Sequence, residues 1–139
     1  MKKSTNYRLE IITPERILYD QEVTFAVVSS GLGPIGVLPN HAPLLGTVLT
    51  GALKMRDTDK RDIHAFVRNG FFMVSHEGVS IVARSAELQH QIDVKRATAA
   101  KERAQQILAS KQTGMDMERA RDALRRAEFR IKVAQGGIQ

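Results

Sequence analysis

Residues 65–83 read AFVRNGFFMVSHEGVSIVA, and how this stretch folds decides the architecture of everything before it. Apolar residues alternate with others in AFVR and VSIVA, the period-two signature of strands with one buried face. Asn69-Gly70 divides AFVR from FFMV. A two-residue hairpin turn needs positive φ at both central positions and Asn-Gly supplies it, so the dipeptide predicts a hairpin. Glu77-Gly78, just before VSIVA, predicts another turn. A hairpin about Asn69-Gly70 would pair position 64 with 75 and set His64 and His76 on opposite faces. The four histidines, at 41, 64, 76 and 90, then give no support to a metal site.

Working outward toward the N-terminus, the same alternation recurs. YRLEIIT (7–13) puts Tyr7, Leu9 and Ile11 on one side, EVTFAVV (22–28) does so with Val23, Phe25 and Val27, and DIHAFVR (62–68) with Ile63, Ala65 and Val67. Strands this closely spaced, with no helical pattern before about residue 90, indicate an antiparallel sandwich or barrel. Working toward the C-terminus, the period changes. Val94, Ala97, Ala100, Ala104, Ile107 and Leu108 mark a helix from about 93 to 110, and Met117, Ala120, Leu124, Ala127, Ile131 and Ala134 form a stripe on a second one. Between them Gly114 can end the first helix and Asp116 can cap the second. This is a helical hairpin. Its alanine-rich stripes bury little area, so at about 25 cal/mol per Å² the contact should be weak enough to open.

The 139 residues allow one modest domain with an appendage, placed here at 1–90 and 91–139. No run approaches the roughly 18 apolar residues that span a bilayer, and the start, MKKSTNYRLE, does not read as a secretory signal. The absence of cysteine excludes disulfides, cysteine-ligated zinc and thiol catalysis. Of the net charge of +6, the first part carries almost none, with 10 basic and 9 acidic residues; residues 91–139 hold 11 basic against 6 acidic. A basic segment of this kind suits an anionic partner, whether nucleic acid, a phosphate ligand or an acidic protein surface, or is simply a solvated helical face.

The glycine-rich stretch GLGPIGVLPNHAPLLGTVLTG (31–51) lacks the Gly-Lys-Ser/Thr of a P-loop, and Pro34 and Pro39 remove backbone donors that a phosphate cradle would use. Its apolar residues Ile35, Val37, Leu38, Leu44 and Leu45 make it either a rigid connection or a docking surface. No serine–histidine–acid signature or obvious carboxylate pair supports an enzyme with its own active site. Nucleic-acid binding by the hairpin is disfavoured by the 5% aromatic content, with Phe129 the sole aromatic on the basic helices.

The stretch IDVKRATAAKER (92–103) carries a sharper signal. Positions 93, 96, 100 and 103 share a helical face, so Asp93, Arg96 and Arg103 point together, while Arg126 and Arg130 lie one turn apart on the second helix. A hairpin folded about Thr113 sets residue 130 opposite 96. Arg96 is therefore expected to meet Arg130, a repulsive pairing unless an anion lies between them or Asp93 and Glu87 offset the charge. The alternative is that Asp93 caps the helix, contributing about 1 kcal/mol, with the arginines solvated.

Taken together, these motifs resemble one family, the epsilon subunit of bacterial F-type ATP synthase. GPIGVLPNHAPLL is similar to that family's loop, AFVRNGFFMVSHEGVSIVA to its paired strands, and IDVKRA to its ATP-recognition pattern Ile/Leu-Asp-x-x-Arg-Ala; the resemblance spans about residues 7 to 134. It implies an α+β chain in two parts, an N-terminal antiparallel β-sandwich of about ten strands followed by a C-terminal antiparallel α-helical hairpin, seated on the central rotor. It implies no catalysis, a peripheral place on the cytoplasmic face of the bacterial membrane, and docking of the sandwich on the gamma subunit and the c-ring through Gly36, Val37, Leu38, Pro39, Asn40, His41, Ala42, Pro43 and Leu44. Extended, the hairpin would reach the alpha and beta catalytic subunits and inhibit ATP hydrolysis. Folded down, it would bind ATP as a regulatory ligand at Glu87, Ile92, Asp93, Arg96, Ala97, Arg103, Arg126 and Arg130. There Glu87 and Asp93 would hold adenine and orient arginines, while Arg103, Arg126 and Arg130 would face phosphate. Asn40 replaces the family's usual glycine before the histidine, and asparagine shares glycine's tolerance of left-handed backbone.

Overall fold

The computed structural model describes residues 5–110 and 115–136, with the side chains of 115 and 116 excepted. Seven strands are followed by two helices: β1 (Tyr7–Ile12), β2 (Ile17–Ser30), β3 (Gly33–Val37), β4 (Leu44–Val48), β5 (Gly51–Asp57), β6 (Asp62–Ser75), β7 (Gly78–Leu88), α1 (Val94–Ala109) and α2 (Met115–Ala134). The pairings β1–β7, β7–β6, β6–β5, β5–β2 and β2–β1 close on themselves, and β3 and β4 extend the far halves of β2 and β6. All are antiparallel except β1–β7, which is parallel. Leu9, Ile11, Val28, Leu53, Met55, Phe72 and Ile81 fill the interior of this sandwich.

Among the described residues the strand count is seven rather than about ten, because the two 14-residue strands change partners midway. β2 pairs with β1 through residue 23 and then with β5 and β3. β6 pairs with β5 over 62–67 and with β4 over 70–74, while β7 stays beside it from 65 to 75.

That continuity corrects the expected hairpin at Asn69-Gly70. The dipeptide lies inside β6, where it bends the strand instead of reversing it. Asn69 takes the left-handed φ of 36° that suits it, and its Oδ1 accepts a hydrogen bond from Thr50 Oγ1 at 3.0 Å, where the chain passes from β4 to β5. Gly70 is required for a different reason: a Cβ there would lie 1.9 Å from the Val82 carbonyl oxygen of β7. The true reversal is at His76-Glu77, where Ser75 pairs with Gly78. His64 consequently pairs with Lys54, not with position 75.

A second correction concerns β2. The ladder to β5 slips between Val23 and Phe25, so a bulge at Thr24 flips the alternation: Val23 is buried with Ala26 and Val28, while Phe25 and Val27 face the other way. In β6, Ala65 and Val67 enter the core as expected, yet Phe66 between them is equally buried. Its cover is the hairpin.

Asp93 ends an extended segment and its carboxylate accepts the Arg96 backbone N–H at 3.0 Å, which starts α1. α1 packs against α2, and α2 against β5 and β6. The helix seam uses the buried alanines Ala97, Ala104, Ala120 and Ala127. Val94 and Ile107, expected on the buried stripe, are exposed because α1 is covered along that narrow seam alone. On its other side α2 places Val133 and Phe129 on Phe66, joined by Ile92 and Ala52. The interhelical residues Thr113 and Gly114 and the side chain of Asp116 lie outside the described residues.

Candidate functional site

The junction between sandwich and hairpin brings together most of the residues singled out in IDVKRA and on α2. The linker is a 3-10 turn, Gln89–Gln91, braced at both ends: Leu88 N–H donates to Gln91 Oε1 at 2.9 Å, and Gln89 Nε2 donates to the Ala134 carbonyl at 3.2 Å. The second bond ties the linker to the end of α2. Ile92 is then buried against Phe66 and Val133, Asp93 caps α1, and Ala97 lies one turn on in the helix seam.

Across this hinge, Glu87 and Arg130 form the contact that locks α2 to the sheet. Arg130 Nε donates to Glu87 Oε1 at 2.5 Å, with both side chains 30% exposed, and its Cζ lies 4.4 Å from the centroid of the Phe66 ring. Register explains the convergence: Glu87 is the cross-strand partner of Phe66 on the face that α2 covers. A guanidinium there gains a carboxylate and an aromatic face at once, the second worth about 0.5–2 kcal/mol according to its desolvation.

Of the two carboxylates expected to offset the charge where Arg96 meets Arg130, Glu87 does so at Arg130. Arg130 turns to the sheet, whereas Arg96 and Arg103 are exposed on α1 and have no side-chain ion-pair partner among the described residues. The face that the two helices share is taken by alanines, and the arginines of α1 lie beside it. From the sheet, Arg68 adds a partly buried guanidinium, with exposed Arg84 beside it. Burial, then Arg126, Arg84 and Arg130, lower the proton affinity of Arg68, and Asp122 acts weakly in the opposite sense. Arg68 lies two residues along β6 from Phe66, a spacing visible in AFVR, but the reading of Asn69-Gly70 as a hairpin concealed that this face continues under α2.

The second candidate region lies at the glycine-rich stretch. Gly36 and Val37 end β3, where Val37 is buried and its carbonyl accepts from Tyr7 Oη at 2.7 Å. Burial pushes the Tyr7 phenol far above its ordinary range, so that bond keeps its proton. The loop proper exposes Leu38 at 60%, turns at Asn40 with φ of 65°, and places His41 Nδ1 2.6 Å from the Ala42 carbonyl. Ala42 and Pro43 are exposed, and Leu44 opens β4. Beside it the outward face of β4 and β6 carries Leu45, Phe71 and Met73, 69%, 50% and 49% exposed, with Leu45 directly opposite Met73. This is a continuous apolar surface of the kind that marks a protein interface. Among the described residues, no three His, Asp or Glu side chains gather as a metal site would require.

Comparison with known proteins fits this two-part arrangement. Residues 6–89 match the family model for the β-sandwich domain of the ATP synthase delta/epsilon chain, and residues 90–135 match that for its long α-helix domain. The chain is 41% identical over 128 residues to an ATP synthase epsilon chain of Desulforamulus reducens, covering 92% of this chain and 96% of that one. It is 38% identical over 135 residues to an ATP synthase epsilon chain of Syntrophomonas wolfei, covering 97% and 98%. Among solved structures, a chain of the Euglena gracilis mitochondrial ATP synthase (OSCP/F1/c-ring) superimposes with a TM-score of 0.78 at 20% identity, covering 92% of this chain and 81% of that one. At that identity the superposition speaks for the fold, and the sequence matches carry the assignment. With both family domains present in order, the chain belongs to the delta/epsilon family of ATP synthase as an epsilon chain, a non-catalytic subunit of that complex.

Proposed function

We propose that this chain couples ion translocation to ATP synthesis as a rotor component of the synthase, and that its hairpin is an ATP-responsive brake on hydrolysis. The sandwich docks on the gamma subunit and the c-ring through residues 36–44 and the apolar face of Leu45, Phe71 and Met73. This holds it at the membrane surface on the cytoplasmic side. No helix among the described residues is long and apolar enough to cross a membrane.

The observation that carries the regulatory reading is the small, separable junction under α2. The hairpin rests on the sandwich through Phe66, Ile92, Phe129 and Val133, one ion pair and the Gln89–Ala134 bond, apart from the main core. An element held this lightly can exchange between docked and released states, and a ligand shifts them by its difference in affinity between the two. ATP is the ligand whose charge suits Arg126 and Arg130 on α2 and the exposed Arg96 and Arg103 on α1, with Ile92, Asp93 and Ala97 at the hinge and Glu87 beside them. Released, the hairpin extends its basic α2 toward the alpha and beta subunits and opposes hydrolysis.

Titration of the full chain with ATP, followed by calorimetry and amide NMR, tests the nucleotide reading. Saturable heat with shifts at 92–97 and 126–130 is the expected result; no heat and no shifts at millimolar nucleotide would refute it. The brake is tested in the assembled synthase, where deletion of residues 91–139 should raise ATPase activity. Unchanged activity would count against it.

A further inference from the structure

Three arginines at or beside the junction of α2 with the sheet form no ion pair among the described residues. Arg68 lies on β6 two residues from Phe66, over whose ring Arg130 sits, and Arg126 is one helical turn from Arg130 on the same side of α2. Arg68 pairs with Ser85 and Gly70 with Ala83, so Asn69 and Arg84 lie between these pairs at the bend of the sheet. The bend turns both Arg68 and Arg84 outward, since Val67 and Gly70 on β6 and Ala83 and Ala86 on β7 take the inward positions. Glu87 is committed to Arg130, and Asp122 lies 3.8 Å from Arg125. Arg68, Arg84 and Arg126 therefore remain without an ion pair among the described residues, although Arg68 is partly buried. At Arg68, burial and then the charges of Arg126, Arg84 and Arg130 act together against the guanidinium's charge, with Asp122 opposing them.

We infer that Arg68 and Arg84 of the sandwich form, with Arg126 of α2, a binding site for a multiply charged phosphate group that bridges the two parts of the chain. The proposal rests on the docked hairpin and shares Arg126 with the nucleotide reading above, but it places two of its three ligands on the sheet. Each guanidinium offers a fork of N–H donors matched to phosphate oxygens. An anion held by both sides converts like-charge repulsion at the seam into a clamp, and its loss frees α2 to lift. The phosphate is either the tail of a bound nucleotide or a free inorganic anion.

The full chain, the R68Q/R84Q double variant and R68K are titrated with ATP and with inorganic diphosphate, by calorimetry and amide NMR. Both glutamines replace outward-facing arginines, and R84Q alone, at an exposed position, serves if the double variant does not fold. Loss of about tenfold or more in affinity for either anion in the double variant, partly restored in R68K, is the expected result. Diphosphate binding that depends on both arginines identifies a free-anion site, and stands even if ATP fails to bind. Loss confined to ATP identifies the nucleotide tail. Equal affinity of wild type and double variant for whichever anion binds overturns the inference and leaves the nucleotide reading in place; absence of binding by both anions overturns both.

Discussion

Val133→Ala isolates the stability of the junction from that of the sandwich. Val133 is wholly buried, and it belongs to the cluster with Phe66 and Ile92, not to the main core around Leu9, Leu53 and Phe72. Removing two carbons forfeits about 1.6 kcal/mol of transfer free energy, at about 0.8 kcal/mol per methylene, and a residual cavity brings the loss to about 2 kcal/mol. At about 1.4 kcal/mol per tenfold, the docked population falls about 30-fold relative to the undocked one. The helices cannot compensate alone, because their seam is built from Ala97, Ala104, Ala120 and Ala127, and most helical stability in proteins comes from tertiary packing of an apolar face. Native-state amide exchange should therefore show α1 and the second half of α2 losing protection by about that factor. Amides of β1, β6 and β7 away from Phe66 should keep theirs. Equal loss throughout the sheet would refute the separation of junction from core, and unchanged helix protection would refute the claim that this cluster holds the hairpin down.

Further outcomes follow from other contacts. A double-mutant cycle with Glu87→Gln and Arg130→Gln should give a coupling of about 1 kcal/mol, as expected for a half-exposed pair, read from hairpin protection; a coupling near zero would remove the ion pair from the latch. Gly70→Ala should destabilise the whole sandwich by about 2–4 kcal/mol in urea unfolding, because the new Cβ meets the Val82 carbonyl of β7; a neutral result would show that β6 and β7 can separate at the bend. Burial lowers the proton affinity of His64 below that of a free histidine, with Lys54 adding to the effect and Asp62 opposing it, and His64 Nδ1 is buried without a partner. The unfolded chain then binds the proton more tightly, so stability should hold above about pH 6.5 and fall as pH drops below it, with His64→Asn flattening the profile. Urea midpoints at pH 7.5 and 5.5 that do not differ between wild type and variant would refute this.

Much of this chain is legible in local pattern. The change from period two to period 3.6 near residue 90 is a property of neighbouring residues, and the structure keeps it, with α1 at Val94–Ala109 against an expected 93 to 110. Asp93 as a cap is equally local, since the carboxylate and the N–H it accepts are three residues apart. Asn69-Gly70 marks where legibility fails. Its left-handed preference is realised, yet whether the chain turns back or only bends there depends on β4, β5 and β7 lying alongside, and no residue near position 70 encodes them. The bulge at Thr24 is likewise fixed by the pairing of β2 with β5.

The candidate site divides the same way. The sequence by itself determined that Ile92, Asp93, Arg96 and Ala97 sit at the start of a helix and that a basic second helix carries Arg126 and Arg130, because helical spacing is a short-range rule. Tertiary structure alone decided where those arginines point. A stripe of alanines lets α1 and α2 approach closely and leaves Arg96 and Arg103 to solvent, while Phe66 and Glu87, paired across β6 and β7, draw Arg130 to the sheet. The same packing brings partly buried Arg68 of β6 within reach of the charge of Arg126, with exposed Arg84 beside it on β7. Charges separated by tens of residues interact only once the backbone brings them together, and composition and spacing carry no record of that.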